Sequence, residues 1–221
     1  MIVQHGLKQM YDENENVFYY ITLMNENYQH PDMPEGCEEQ IIKGMYLLKP
    51  SAGKSEKIVR LIGSGTILRE IEAATDLLRE YDIDTEVFSA TSLNELRRDG
   101  NSVARYNLLH PEQKTPRESH VEMLLGASDA PIVAATDHIQ LYAEQIRPFL
   151  GKTTYITLGT DGFGRSDSRK KLREHFEVDR RFIAIAALRA LSMDGKIQPK
   201  IVSKAIKAFG IDPDRLDPVA L

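Results

Sequence analysis

The chain is poor in residues that build covalent or metal-held scaffolds. Cysteine occurs once in 221 residues, at Cys37, so no intrachain disulfide can form. The six histidines stand at positions 5, 30, 110, 120, 138 and 175, and none falls at the spacing of a Cys/His zinc site. No apolar run approaches the roughly 20 residues that a membrane helix requires. The N-terminus also lacks the charged-then-apolar order of a leader peptide. These absences point to a soluble, cytoplasmic protein. Charge of one sign is missing too, with 28 basic residues against 33 acidic ones for a net charge of −5. The signs are mixed along the chain, which excludes the clustered basic face of a nucleic-acid binder. The short run Arg169, Lys170, Lys171 and Arg173 reads as a solvated helix face, not an anion site.

What is present is ordinary globular composition, 42% hydrophobic and 28% charged, in a chain long enough for one core and a smaller appendage. Residues Ile2–Tyr11 have helical spacing. The run Val17–Met24 is aromatic and β-branched on both faces, the pattern of a strand inside a sheet. One helix and one such strand cannot make a core, so this stretch reads as the tail of a domain that lies upstream. The segment from Asn25 to Gly36 carries Pro31 and Pro34 and is expected to be irregular.

An α/β pattern follows. Strands are expected at Gly44–Leu48, Ile58–Ile62, Thr85–Ser89, Pro131–Thr136 and Thr153–Leu158. Helices are expected at Thr66–Tyr81, after a Ser92/Glu95 capping box, at Ile139–Phe149 and around Ser168–His175. The stretch Arg98–Gly126 reads as a polar, irregular excursion. At the end, Asp179 opens a helix to about Met193 that is apolar almost throughout, with Gly195 as its stop. A last helix has Pro199 in its first turn and Gly210 just past its end, the usual asymmetry of helix termini. Alternating strands and helices imply a mostly parallel sheet with helices on both faces.

Few features carry chemistry. Gly63-Ser64-Gly65 follows a strand and opens a helix, so its backbone N–H groups could hold an anion. The third glycine of a dinucleotide fingerprint is Leu68 here, and Glu86 falls within the next strand; the plainer reading is a tight turn. Cys37, His110 and His138 read as structural or loop residues, and no catalytic dyad stands out. The stretch LGTDGFGRSDSR (Leu158–Arg169) is the most distinctive. It comprises Asp161, Gly162, Phe163, Gly164, Arg165, Ser166, Asp167 and Arg169, with Ser166 or Asp167 available to cap the next helix. Either it is a contact loop at the strand ends or it is a turn satisfied by its own side chains; composition leaves both open.

Several stretches together resemble a known family. FYYITLMNENYQHPDMPEG (Phe18–Gly36), LIGSGTILREIEAA (Leu61–Ala74), TSLNELRRDG (Thr91–Gly100), LLHP (Leu108–Pro111), LGTDGFGRSDSR and LREHFEVD (Leu172–Asp179) are similar to the C-terminal region of the homodimeric pyruvate dehydrogenase component. That component belongs to the transketolase-like superfamily of thiamin enzymes. The resemblance implies a three-layer sandwich with a five-stranded mixed sheet, its first strand, Gly44–Leu48, antiparallel to the rest. It implies a boundary as well, with residues 1–39 as the tail and exit loop of a pyrimidine-binding domain and 40–221 as the C-terminal domain.

The complete enzyme would use thiamin diphosphate and magnesium to decarboxylate pyruvate and acetylate a lipoyl group. Its partners would be a second copy of the subunit, the upstream domains of its own chain and the lipoyl acyltransferase of a multienzyme complex. The usual cation motif is Gly-Asp-Gly followed about thirty residues later by Asn. Here Thr160 precedes Asp161-Gly162, and no asparagine occurs after Asn107. The resemblance therefore assigns no catalytic, cofactor-binding or metal residue to this segment, and no role to Gln4-His5. It implies dimerisation and scaffolding, with the Asp161–Arg169 loop at an intersubunit or interdomain contact. The alternative is a free-standing nucleotide- or anion-binding module that uses the Gly63–Gly65 turn.

Overall fold

A computed structural model describes residues 1–25 and 27–220 of the chain. Strands β1 (Met45–Lys49), β2 (Ile58–Ser64), β3 (Asp84–Ala90), β4 (Ile132–Ala135) and β5 (Tyr155–Leu158) form one sheet in the order β1-β3-β2-β4-β5. β1 runs antiparallel to β3, and every other neighbouring pair is parallel. The mixed five-stranded α/β sheet that the resemblance implies is thus the observed one.

Alternation along the strands sends side chains to two cores. Val59, Leu61, Val87 and Val133 face helices α3 (Leu68–Arg79), α8 (Arg180–Met193) and α9 (Pro199–Ala208). Ile62, Phe88, Ile132 and Ala134 face the opposite core with Leu96, Val121 and Ile146. The latter come from helices α4 (Leu93–Leu109) and α5 (His120–Leu125) and from the turn after a short α6 (Leu141–Glu144). Asp179 caps α8 by accepting from the N–H groups of Arg181 and Phe182. Gly195 and Gly210 follow α8 and α9 at φ +72° and +66°, where a residue with Cβ is strained.

Four expectations are corrected. Val17–Met24 forms no strand; it has no regular structure, and Phe18, Tyr20 and Leu23 are 87–88% exposed. A strand needs hydrogen-bonding neighbours, and neither edge strand, β1 or β5, pairs with it. Arg98–Gly126 is irregular only over residues 110–119, because α4 continues through Leu109 and α5 begins at His120. Only the first two turns of α4 are buried, at Leu93, Leu96 and Gly100, so its second half shows no apolar stripe. The expected helix Ile139–Phe149 breaks into α6 and a 3-10 turn at Arg147–Phe149. Pro148 lacks an N–H and crowds the preceding turn, and Ile139 and Tyr142, expected inward, are 46% and 36% exposed. The Ser92 cap forms without the reciprocal half of its box, since the Glu95 carboxylate pairs with Arg98 and the Ser92 N–H donates to Gly44 O.

Two polar residues that sequence patterning missed tie the sheet to its loops. Arg60 on β2 is 1% exposed, and its guanidinium donates to the carbonyls of Leu125 and Ala130 in the α5–β4 connection. Asp84, at the start of β3, gathers the loop after β1. It accepts from Ser51 Oγ at 2.7 Å and from the N–H groups of Thr85, Lys54 and Ala52 at 2.8, 3.1 and 3.3 Å. Burial pushes its carboxyl up, but these donors outweigh burial and hold it down at about 2. A depressed folded pKa contributes stability above the ordinary value of 3.8 that is lost as pH falls toward about 2. Thermal midpoints of the chain should therefore fall steeply in that window. Asp84→Asn should start lower and show a shallower acid limb; parallel limbs for the two proteins would rule the account out.

Candidate functional site

The loop between β5 and α7 (Arg169–His175) is positioned at both ends before anything else touches it. At its start, Gly159 lies so close to the Gln140 backbone that a Cβ there would overlap it. Gln140 then spans the gap, its Nε2 donating to Thr157 O and Oγ1 while its own N–H donates to Asp161 Oδ2 at 2.9 Å. Thr160 completes the clasp, with its N–H donating to His138 O and its hydroxyl to Asp137 O. At the far end Ser168, not Ser166 or Asp167, caps α7, while Asp167 accepts from the Ser168 N–H at 2.6 Å.

α7 is itself anchored. Glu70 on α3 is buried and accepts from Arg173 Nη1 at 3.0 Å and from Arg180 Nε at 2.9 Å, and Arg173 also donates to Thr66 Oγ1. Burial pushes the Glu70 carboxyl up, but Arg180 and Arg173 more than offset it and leave the group below its ordinary range. Arg173, expected on a solvated face, has a side chain only 14% exposed. The expectation fails because Arg173 lies two positions beyond the exposed Lys171, about 200° around the helix, and so faces inward toward the Glu70 carboxylate. Lys170 and Lys171 are exposed as expected, Lys171 pairing with Glu174. Arg169 reaches back to Asn25 Oδ1 at 2.8 Å, across 144 residues of sequence.

Between these anchors the loop is open. Gly162 adopts φ +97°, nothing stands within 4 Å of a Cβ placed on Gly164, and residues 162–170 are exposed. Phe163 is 78% exposed, and Ile139 and Leu141, beside Gln140, are exposed as well. So the structure ties Asp161 to Gln140 and Arg169 to Asn25, keeps Asp167 on the N–H of its neighbour Ser168, and leaves Phe163 outward.

The Gly63–Gly65 turn closes on itself. A Cβ on Gly63 would meet Leu68 Cα at 2.8 Å, and one on Gly65 would meet Asp137 Oδ1 at 2.9 Å. A carboxylate at the mouth of the turn repels phosphate, so the nucleotide reading is not favoured. Cys37 is buried ahead of α2 (Glu38–Ile42), and burial raises its thiol above the ordinary value. His138 stacks on Tyr142 and His110 on Tyr106. Among the described residues no three His, Cys, Asp or Glu side chains converge on a metal-sized site, and no helix is long and apolar enough to cross a membrane. Among the described residues no set of side chains fits a thiamin diphosphate–cation centre.

Residues 44–179 match the family model described as the transketolase-like TK C-terminal domain, and residues 1–31 match the pyruvate dehydrogenase E1 component middle domain. Pyruvate dehydrogenase E1 components of Pseudomonas aeruginosa, Cupriavidus necator and Escherichia coli K12 are 54%, 48% and 49% identical to the chain. The alignments cover 99–100% of the chain and 24–25% of each relative, so the chain spans about a quarter of their length. Among solved structures, a transketolase from Leishmania mexicana is 15% identical with a TM-score of 0.48, over 70% of this chain and 19% of its own. A split-gene transketolase, an inactive β4 tetramer, is 16% identical with a TM-score of 0.44, over 68% and 43%. Likeness at that level is too slight to argue from.

Proposed function

We propose, from the premise that the chain belongs to the transketolase-like C-terminal domain family, that it is the C-terminal segment of a pyruvate dehydrogenase E1 component and serves there in assembly. The observation that carries this is the full-length match, at about half identity, to a quarter of those enzymes. In this reading residues 1–39 end the pyrimidine-binding domain and 40–221 form the C-terminal domain. The complete subunit oxidatively decarboxylates pyruvate and passes the acetyl group to lipoyl groups of an acyltransferase, in the cytoplasm, as a homodimer. Thiamin diphosphate and magnesium supply that chemistry when bound to the complete subunit, and no residue of this segment is assigned a step in it.

The role left to the segment is contact. The exposed Phe18, Tyr20 and Leu23 are the surface that upstream domains of the same subunit cover. An apolar set of this kind marks an interface. The 161–169 loop presents Phe163 as an anchor, with the polar Asp161, Arg165 and Asp167 within four residues of it in sequence, the composition of an aromatic hot spot with a polar rim.

The test uses the Pseudomonas enzyme with its own matching quarter replaced by this chain. Sedimentation velocity should give a dimer, and Phe163→Asp should weaken it by about tenfold or more, because a hot-spot aromatic contributes roughly 2 kcal/mol. A dimer insensitive to substitution at Phe163, Arg165 and Asp167 would remove the loop from the interface.

A further inference from the structure

We infer that the segment after α9 is a strap that fixes the 161–167 loop in place, with Arg215 as its latch. The chain reverses at Gly210 and returns to the corner between α7 and α8. There Arg215 Nε stands 3.1 Å from Glu177 Oε1, and its Nη2 donates to His175 O at 3.4 Å. The guanidinium also lies 5.2 Å from the centre of the Phe182 ring. Both partners of the ion pair are about 30% exposed, so water screens it less than an open surface pair.

Glu177 adopts φ +59°, an unfavourable conformation for a residue with Cβ that persists only where its surroundings hold it. The strap beyond the latch is stiffened by Asp217, which accepts from the N–H groups of Val219 and Ala220. That turn carries Pro218 against the loop, where a Cβ on Gly162 would stand 2.9 Å from Pro218 O and 3.3 Å from Val219 Cα. Gly162 therefore has two reasons to be glycine, its φ of +97° and the strap lying on it. The strap stands on contacts within this chain alone, whereas its bearing on assembly rests on the contact-loop reading.

Chymotryptic cleavage after Phe163 measures how tightly the loop is held. In the 221-residue chain, Arg215→Ala and Glu177→Gln should each speed it about two- to fivefold, the opening expected when a partly exposed pair is lost. The double variant should add nothing further, and the thermal midpoint should stay near that of the parent. A chain ending after Ile211 should be cut at least as fast; if it fails to fold, Arg215→Ala decides, since it removes no backbone. Cleavage unchanged in Arg215→Ala would overturn the strap. Faster cleavage with an unaltered dimer would uphold it and count against the contact-loop reading alone.

Discussion

Glu70→Ala is expected to destabilise the chain by about 3–5 kcal/mol, because it strands a buried cation. Arg173 carries most of that cost, its side chain being 14% exposed, while Arg180 is half exposed and can turn to water. For a domain of this size the loss corresponds to a drop of roughly 10 °C in thermal midpoint. Glu70→Gln should cost less, since the amide still accepts from one guanidinium. The informative variant is Glu70→Leu with Arg173→Met, which removes the uncompensated charge and should recover most of the loss.

The same network sets a pH dependence. The folded carboxyl lies below its ordinary 4.5, so its stabilisation is present above that value and lost as pH falls through the folded pKa. Because α7 hangs on this carboxylate, the 161–169 loop should loosen in the same acid window. Equal stability of Glu70→Ala and the parent in chemical denaturation would dismiss the anchor.

Leu188→Ala in the middle of α8 is expected to cost about 2–5 kcal/mol. Leu188 is fully buried in the core that joins α8 to α3, α9 and the sheet. The cost depends on how far the surroundings can close over the lost atoms. Ala184, Ala187 and Ala190 already bring the helix backbone close to its neighbours, which leaves little room to collapse and places the effect in the upper half of that range. Denaturant midpoint should fall with an unchanged slope; a loss of less than about 1 kcal/mol would mean that α8 repacks around the lost atoms.

Much of this architecture could be read from the chain, for reasons that differ by element. β2 and β4 are buried on both faces, and the apolar pairs flanking Arg60 in β2 and the unbroken run of β4 announce them. α8 and α9 carry their signals locally, in Asp179, Pro199, Gly195 and Gly210. The antiparallel setting of β1 came only through resemblance, because pairing direction leaves no mark on a five-residue strand.

What escaped was long-range. The second half of α4 packs on little, so it has no stripe to detect, and its end is held by Asn107 bonding the backbone of Arg117, ten residues on. α5 did have a local signal, Ser119 with Glu122, and the capping box it spells is present. At the site, the glycines of 159–164 marked a special loop. Its supports, Gln140, Glu70 and Arg215, lie between about 20 and 90 residues away in sequence, where no spacing rule reaches. Val17–Met24 shows the converse, a strand-like pattern with no partner among the described strands to complete it.

Release of carbon dioxide from pyruvate, in the presence of thiamin diphosphate, magnesium and an electron acceptor, tests the central claim most directly. The 221-residue chain alone should show none, and the Pseudomonas enzyme carrying it in place of its own matching quarter should turn over. Decarboxylation by the isolated chain, or a dead chimera that still folds and dimerises, would contradict the assignment of contact rather than catalysis to these residues.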